Sequence, residues 1–179
     1  VIDVPYTADE KSVKYVEKQL FEMVEFLQKN TGGSFSEAKL KKAIENYNTG
    51  IYYRKKFFCE LKNKYFPTSI TLEMYKIIMT HILSGTDEAA EFFKMQYEEI
   101  LEQEDFCGKR IIWSHVLPYF SPSLQSMFDF SNDFQLLLCD MNIDYMEEID
   151  ENNIFYGLAK RLVYNKFNGN NKRKTDMLI

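Results

Sequence analysis

His115 is the residue of this chain best placed to do chemistry. It follows a short apolar run, Ile111-Ile112-Trp113, and precedes Leu117-Pro118-Tyr119, with a helix expected from Ser121-Pro122 onward. A buried parallel strand that feeds a loop at its carboxyl end reads this way, and open α/β sheets bind ligands at that edge. An imidazole there can take up a proton near neutral pH or offer a ring N–H to a ligand oxygen. It can equally be a structural histidine that bonds a neighbouring loop. A second strand end follows the run Phe-Gln-Leu-Leu-Leu-Cys at 134–139, where Asp140 and Asn142 supply a carboxylate and an amide. Consecutive parallel strands joined by a crossover carry their carboxyl ends on one edge. The expected cleft therefore has His115, Leu117, Pro118 and Tyr119 on one rim, with Asp140 and Asn142 on the other.

The remaining reactive residues read more plainly. His81 falls near a helix C-terminus, where a charged imidazole suits the helix dipole. Cys59 stands mid-helix beside Phe57 and Phe58 and reads as a small buried hydrophobe; Cys107 lies in a connection. Cys139 ends a strand, the best functional position of the three, and burial is expected there too. No two cysteines show C-x-x-C spacing, and the chain has no G-x-G-x-x-G, P-loop, H-E-x-x-H or G-x-S-x-G motif. No metal ligand is assigned. The acidic loop with Asp140, Asn142, Asp144, Glu147 and Glu148 lacks the glycine and the spacing of a calcium loop. Asn168-Gly169-Asn170-Asn171 is a turn sequence, and Lys172-Arg173-Lys174 a short basic run at a helix start.

The elements that position these residues follow from periodicity. Thr7 and Glu10 form a capping box ahead of a helix whose Val13, Val16, Leu20, Met23 and Leu27 recur at spacings of three and four. Gly32-Gly33 ends it, and Ser34 with Glu37 opens a second box. The second helix carries Leu40, Ala43, Ile44, Tyr47 and Ile51 on one face and runs to Pro67. A third, 68–83, points Leu72, Tyr75, Met79 and Ile82 inward. A fourth, capped by Thr86, points Ala89, Phe93, Tyr97 and Ile100 inward and Glu98, Glu99 and Glu102 to water. After Gly108 the order becomes strand, helix, strand, helix, with the last helix at 154–164. The fold class is α/β and helix-rich: about four helices at 7–107, then a partial Rossmann-like parallel sheet at 108–179. Two strands are too few for an independent sheet. The third strand is expected beyond the chain, and residues 1–6 are expected to be the end strand of an N-terminal α/β domain.

Composition sets outer limits. The chain has 179 residues, 45% of them hydrophobic and 16% aromatic, enough for a packed core. Its formal charge is −5, which gives no support for a nucleic-acid partner. No apolar run approaches the ~20 residues of a membrane helix, so no membrane partner is expected. Three widely spaced cysteines fit a reducing cytoplasm. The chain opens on Val1 without a basic, apolar leader, and it reads as a segment of something longer.

Several stretches carry a family resemblance: Val1-Ile-Asp-Val-Pro-Tyr before a long helix, Arg-Ile-Ile-Trp-Ser-His-Val-Leu-Pro-Tyr-Phe at 110–120, Asp-Met-Asn-Ile-Asp-Tyr at 140–145, Leu158-Ala-Lys-Arg-Leu, and Asn165 to Gly169. In this order they resemble the 2-hydroxyacyl-CoA dehydratase D-component family, which includes the benzoyl-CoA reductase subunits. The resemblance implies a subunit with two Rossmann-like domains and helices between them. It implies a four-iron four-sulfur cluster held by three cysteines, a paired homologous subunit, and an ATP-dependent activator protein that delivers one electron. The substrate would be an acyl-CoA. Dehydratase members convert (R)-2-hydroxyacyl-CoA to enoyl-CoA through a ketyl radical, and reductase members reduce the ring of benzoyl-CoA. None of Cys59, Cys107 and Cys139 matches a family ligand position, so no cluster is expected on this segment, and no activity of the segment alone. The loop around His115, Leu117, Pro118 and Tyr119 would face cluster and substrate. The other function class is a non-catalytic binding or assembly module that kept the fold and lost the cluster. Self-association through the open sheet edge is a further expectation.

Overall fold

Asp9, Ser36, Ser69 and Thr86 set where the helices of the first hundred residues begin. In a computed structural model that describes residues 1–143, 145–165 and 168, the elements are α1 (Glu10–Thr31), α2 (Glu37–Leu61), α3 (Ile70–Ile77), α4 (Asp87–Leu101), β1 (Lys109–Trp113), α5 (Pro122–Phe128), β2 (Phe134–Cys139) and α6 (Ile154–Val163). A π-helical turn, Ile78–Ile82, continues α3, and a 3₁₀ turn, Asp140–Asn142, follows β2. The fold is helix-rich α/β, with a small parallel sheet.

Side-chain oxygens accept from the first free backbone N–H groups of α1, α2, α3 and α4. The Asp9 carboxylate takes Ser12 N–H at 2.8 Å, a bond that holds its carboxyl below the usual range. Ser69 takes Leu72 N–H, and Thr86 takes Ala89 N–H, as expected for the fourth helix. The two expected capping boxes are corrected by two residues each: Asp9 replaces Thr7, and Ser36, which accepts from Lys39 N–H, replaces Ser34. Gly32 closes α1 at φ 68, a left-handed conformation that costs glycine little.

The described chain forms two compact units, Val1–Glu45 with Glu147–Ile179, and Asn46–Met146. In the first, Val13, Val16 and Leu20 of α1 pack on Ala159 and Val163 of α6. Phe155 stacks 4.1 Å from Phe21, ring centre to ring centre. Tyr156 donates its hydroxyl to Glu10 at 2.8 Å, and that carboxylate raises the phenol above its usual range. Residues 1–6 lie against this core through Ile2 and Val4, and the Gln19 side chain bonds both N–H and C=O of Asp3 at 2.8 Å. Among the described residues they pair with no strand. The α1 stripe is shorter than its period promised: Met23 is 39% and Leu27 46% exposed. The periodic face runs on where α6, ten residues long, no longer covers it.

The second unit holds the sheet. β1 and β2 pair in parallel, Lys109 opposite Phe134 and Trp113 opposite Cys139, with a register shift between Ile111 and Ile112. Ile70 of α3, Phe128 of α5, and Leu136 and Cys139 of β2 form one apolar cluster. Phe57, Leu61, Phe66 and Ile100 form another. α2 ends at Leu61, before the expected Pro67, because the chain turns into a β-bridge: Phe106 N–H donates to Asn63 at 2.7 Å and Tyr65 N–H to Glu104 at 2.9 Å. α3 faces the other way from the sequence expectation. Ile70, Glu73 and Thr80 are buried, whereas Leu72, Tyr75 and Ile82 are exposed. Cys59, expected inside, is exposed on α2, and Cys139 is buried as expected. The expected turn at 168–171 and the basic run at 172–174 lie outside the described residues except Asn168, and Asp144 lies outside them as well.

Candidate functional site

Parallel pairing brings the carboxyl ends of β1 and β2 side by side, and the loop after β1 meets the turn after β2 there. His115 takes φ 76, a left-handed conformation rare for a residue with a side chain. Three bonds hold it. Its N–H donates to Asp140 Oδ1 at 2.7 Å. Its carbonyl accepts from the Cys139 thiol at 3.6 Å. Its own Nδ1 accepts from Val116 N–H at 2.8 Å. With Nδ1 an acceptor, the ring proton of the neutral imidazole sits on Nε2, and the residue is exposed. Non-glycine residues held at such angles concentrate at functional sites.

Asp140 is 1% exposed, so its carboxylate lies in the core with one oxygen on the His115 backbone and the other 3.4 Å from the Ser114 hydroxyl. It holds the peptide and not the ring of His115. The pair is a positioned loop and not an acid–base dyad. Burial pushes the neighbouring Cys139 thiol above its usual range.

The other expected cleft residues divide by burial. Leu117 is 1% exposed and sits in the cluster of Ile70 and Leu136, so it plugs the loop into the core. Pro118 and Tyr119 are half-buried, and the Tyr119 ring lies 6.2 Å from Tyr75. Asn142 is buried; its Nδ2 donates to the Glu73 carbonyl at 2.6 Å. Its Oδ1 is a buried acceptor without a hydrogen-bond partner among the described residues. It lines a cavity of about 30 Å³ that Arg54, Glu73, Thr80, Gln96 and Cys139 also border. That volume is enough to hold water. A separate apolar groove of about 460 Å³ lies along Leu72, Tyr75, Met79, Phe92 and Met95.

Two residues of this region were not counted toward the site in the sequence reading. Arg54 is 5% exposed and donates to the Asn142 carbonyl, 88 residues away in the chain. Its signal was present: 44, 47, 51, 54, 57 and 61 form one helical stripe, and Arg54 is its charged member. His81 does lie in the last turn of its helical segment, and its Nε2 also bonds the Met141 carbonyl at 2.8 Å.

The site thus lies at the strand edge of a helix-rich α/β fold, on a loop fixed by a buried carboxylate. The family model described as 2-hydroxyglutaryl-CoA dehydratase, D-component, matches residues 1–179, and the chain belongs to that family. None of the curated proteins compared with the chain matches it. The family is known for iron–sulfur clusters. The thiols of this chain do not fit a three-cysteine ligand set: Cys59 and Cys107 are exposed, Cys139 is buried at the end of β2, and no described group of three or more His, Cys, Asp or Glu converges. No described helix is long and apolar enough to cross a membrane.

Proposed function

We propose that this chain is part of a subunit of an iron–sulfur enzyme that dehydrates (R)-2-hydroxyacyl-CoA to enoyl-CoA. Family membership over all 179 residues supports the acyl-CoA class. The observation that carries the site is the exposed His115, held at φ 76 on the shared strand edge by Asp140. Its Nε2–H is a donor suited to a thioester carbonyl oxygen or a 2-hydroxyl group. Tyr119 and Pro118 form the rim beside it, while Leu117 and Asp140 keep the loop from rearranging when a ligand binds. A fixed donor aimed where negative charge develops stabilises a transition state without reorganisation. The implied partners are a paired homologous subunit and an ATP-dependent activator. We place the enzyme in the cytoplasm, where the exposed Cys59 and Cys107 stay reduced.

The test is anaerobic turnover by the subunit together with its paired subunit, activator, ATP and a reductant. Enoyl-CoA should form from an (R)-2-hydroxyacyl-CoA. His115→Ala should lower turnover roughly tenfold, the effect of about 1.4 kcal/mol in the transition state, with little change in melting temperature. Ring reduction of benzoyl-CoA in place of dehydration would move the reading to the reductase branch. Neither product, with acyl-CoA binding absent, would leave a non-catalytic assembly module.

A further inference from the structure

The Asp140–Asn142 turn is tied down from three sides by residues far away in the chain. Arg54 of α2 donates to the Asn142 carbonyl. His81 donates Nε2–H to the Met141 carbonyl at 2.8 Å, 60 residues away. Asn142 Nδ2 donates to the Glu73 carbonyl at 2.6 Å, 69 residues away. Two consecutive carbonyls and one side chain of a three-residue turn are thus spent on α2, α3 and the π turn. The first residue of that turn, Asp140, holds His115 N–H.

Each anchor is costly if packing alone is at stake. Burying a guanidinium at 5% exposure carries a desolvation penalty that an apolar residue of similar volume avoids. π-helical turns are rare and occur mostly as single-turn insertions at functional sites. This one, Ile78–Ile82, buries Thr80 and carries the His81 ring that reaches Met141. Costs gathered around one turn are explained when the position of that turn matters.

We infer that Arg54 and His81 are positioning residues that set the His115 loop by holding the Met141 and Asn142 carbonyls, and through them Asp140. The functional weight of this inference rests on the reading of His115 as a substrate contact; the mechanical link does not. A ligand would meet an imidazole whose place is decided by side chains it never touches.

Hydrogen exchange separates the two. In His81→Leu, the His115 amide should lose protection about fivefold, roughly what one neutral hydrogen bond contributes, while the Leu136 amide inside β2 keeps its rate. His81→Gln, whose amide N–H can replace Nε2–H, should restore protection. Arg54→Met should act like His81→Leu, and it serves if that variant fails to fold. Unchanged exchange at His115 in both apolar variants would overturn the inference, as would equal loss at Leu136. In the assembled enzyme, the same variants should lower kcat with little change in KM, and His81→Gln should recover it. If exchange at His115 changes as expected but the wild type turns over no acyl-CoA, the functional reading fails and the positioning link stands. If the wild type is active and kcat follows neither variant, the role of these residues in positioning the site is overturned.

Discussion

The two compact units bury different kinds of side chain. Val1–Glu45 with Glu147–Ile179 closes on Val13, Val16, Leu20, Ala159 and Val163, and among its described residues Ser12 is the buried polar side chain. Asn46–Met146 buries Arg54, Glu73, Gln96, Gln135, Asp140 and Asn142 beside its apolar clusters. An apolar core is non-directional and asks only for volume and shape. A polar core asks for partners at fixed angles and distances, and each missing partner is expensive. The first unit is built for packing, the second for holding a particular backbone geometry. The chain folds the candidate site into the unit that can specify a loop to within a hydrogen bond.

The contrast can be broken by measuring what each core tolerates. Leu20 is 7% exposed, so Leu20→Ala should cost about 2–5 kcal/mol in denaturant melts, and Leu20→Met less than about 1.5 kcal/mol. Met23→Ala and Leu27→Ala, at exposed positions of the same helix, should each cost about 1 kcal/mol or less. Equal losses at all three positions would mean that α1 is covered along its whole length.

In the second unit, the comparable truncation is Asp140→Ala. It should cost about 1.5–3 kcal/mol, the worth of a hydrogen bond to a charged group, and release the His115 backbone. A stable Asp140→Ala protein with His115 still at a left-handed angle, seen in its amide chemical shifts, would reduce this core to packing as well.

A smaller effect concerns Cys139, whose burial favours the thiol over the thiolate. The folded chain keeps this proton at a pH where the unfolded chain has released it. Stability relative to Cys139→Ala should therefore be level below about pH 8.5, the range where a free thiol ionises, and fall above it. Thermal melts from neutral to alkaline pH measure this, and a difference that rises with pH would contradict it. A disulfide reagent should label Cys59 and Cys107 rapidly and Cys139 only on unfolding. The smallest effect is at Glu99, exposed on α4, where Glu99→Ala should change stability by less than about 0.5 kcal/mol. A larger loss would place the outer face of α4 in a contact.

Local signals were enough for several elements. The apolar run at 134–139 is β2 from end to end, Pro122 opens α5, Thr86 caps α4, and the strand-helix-strand order gives parallel pairing. Each rests on neighbours within a few residues, where side-chain period and capping chemistry act without the rest of the fold. The meeting of the His115 loop with Asp140 was also legible, because parallel topology alone puts two strand ends on one edge. What the sequence reading got wrong was which side of an element would be covered. α3 carries apolar residues all round, Ile70, Leu72, Met74, Tyr75 and Ile77, so its period names no face, and packing on Leu117, Phe128 and Leu136 chose Ile70 and Glu73. Cys59 was decided the same way, by what α2 meets and not by its phenylalanine neighbours. The bonds of Arg54 and His81 to the turn after β2 span 88 and 60 residues. No local pattern encodes such a pair, because a backbone carbonyl has no residue type, and only the folded chain determines which one a buried donor reaches.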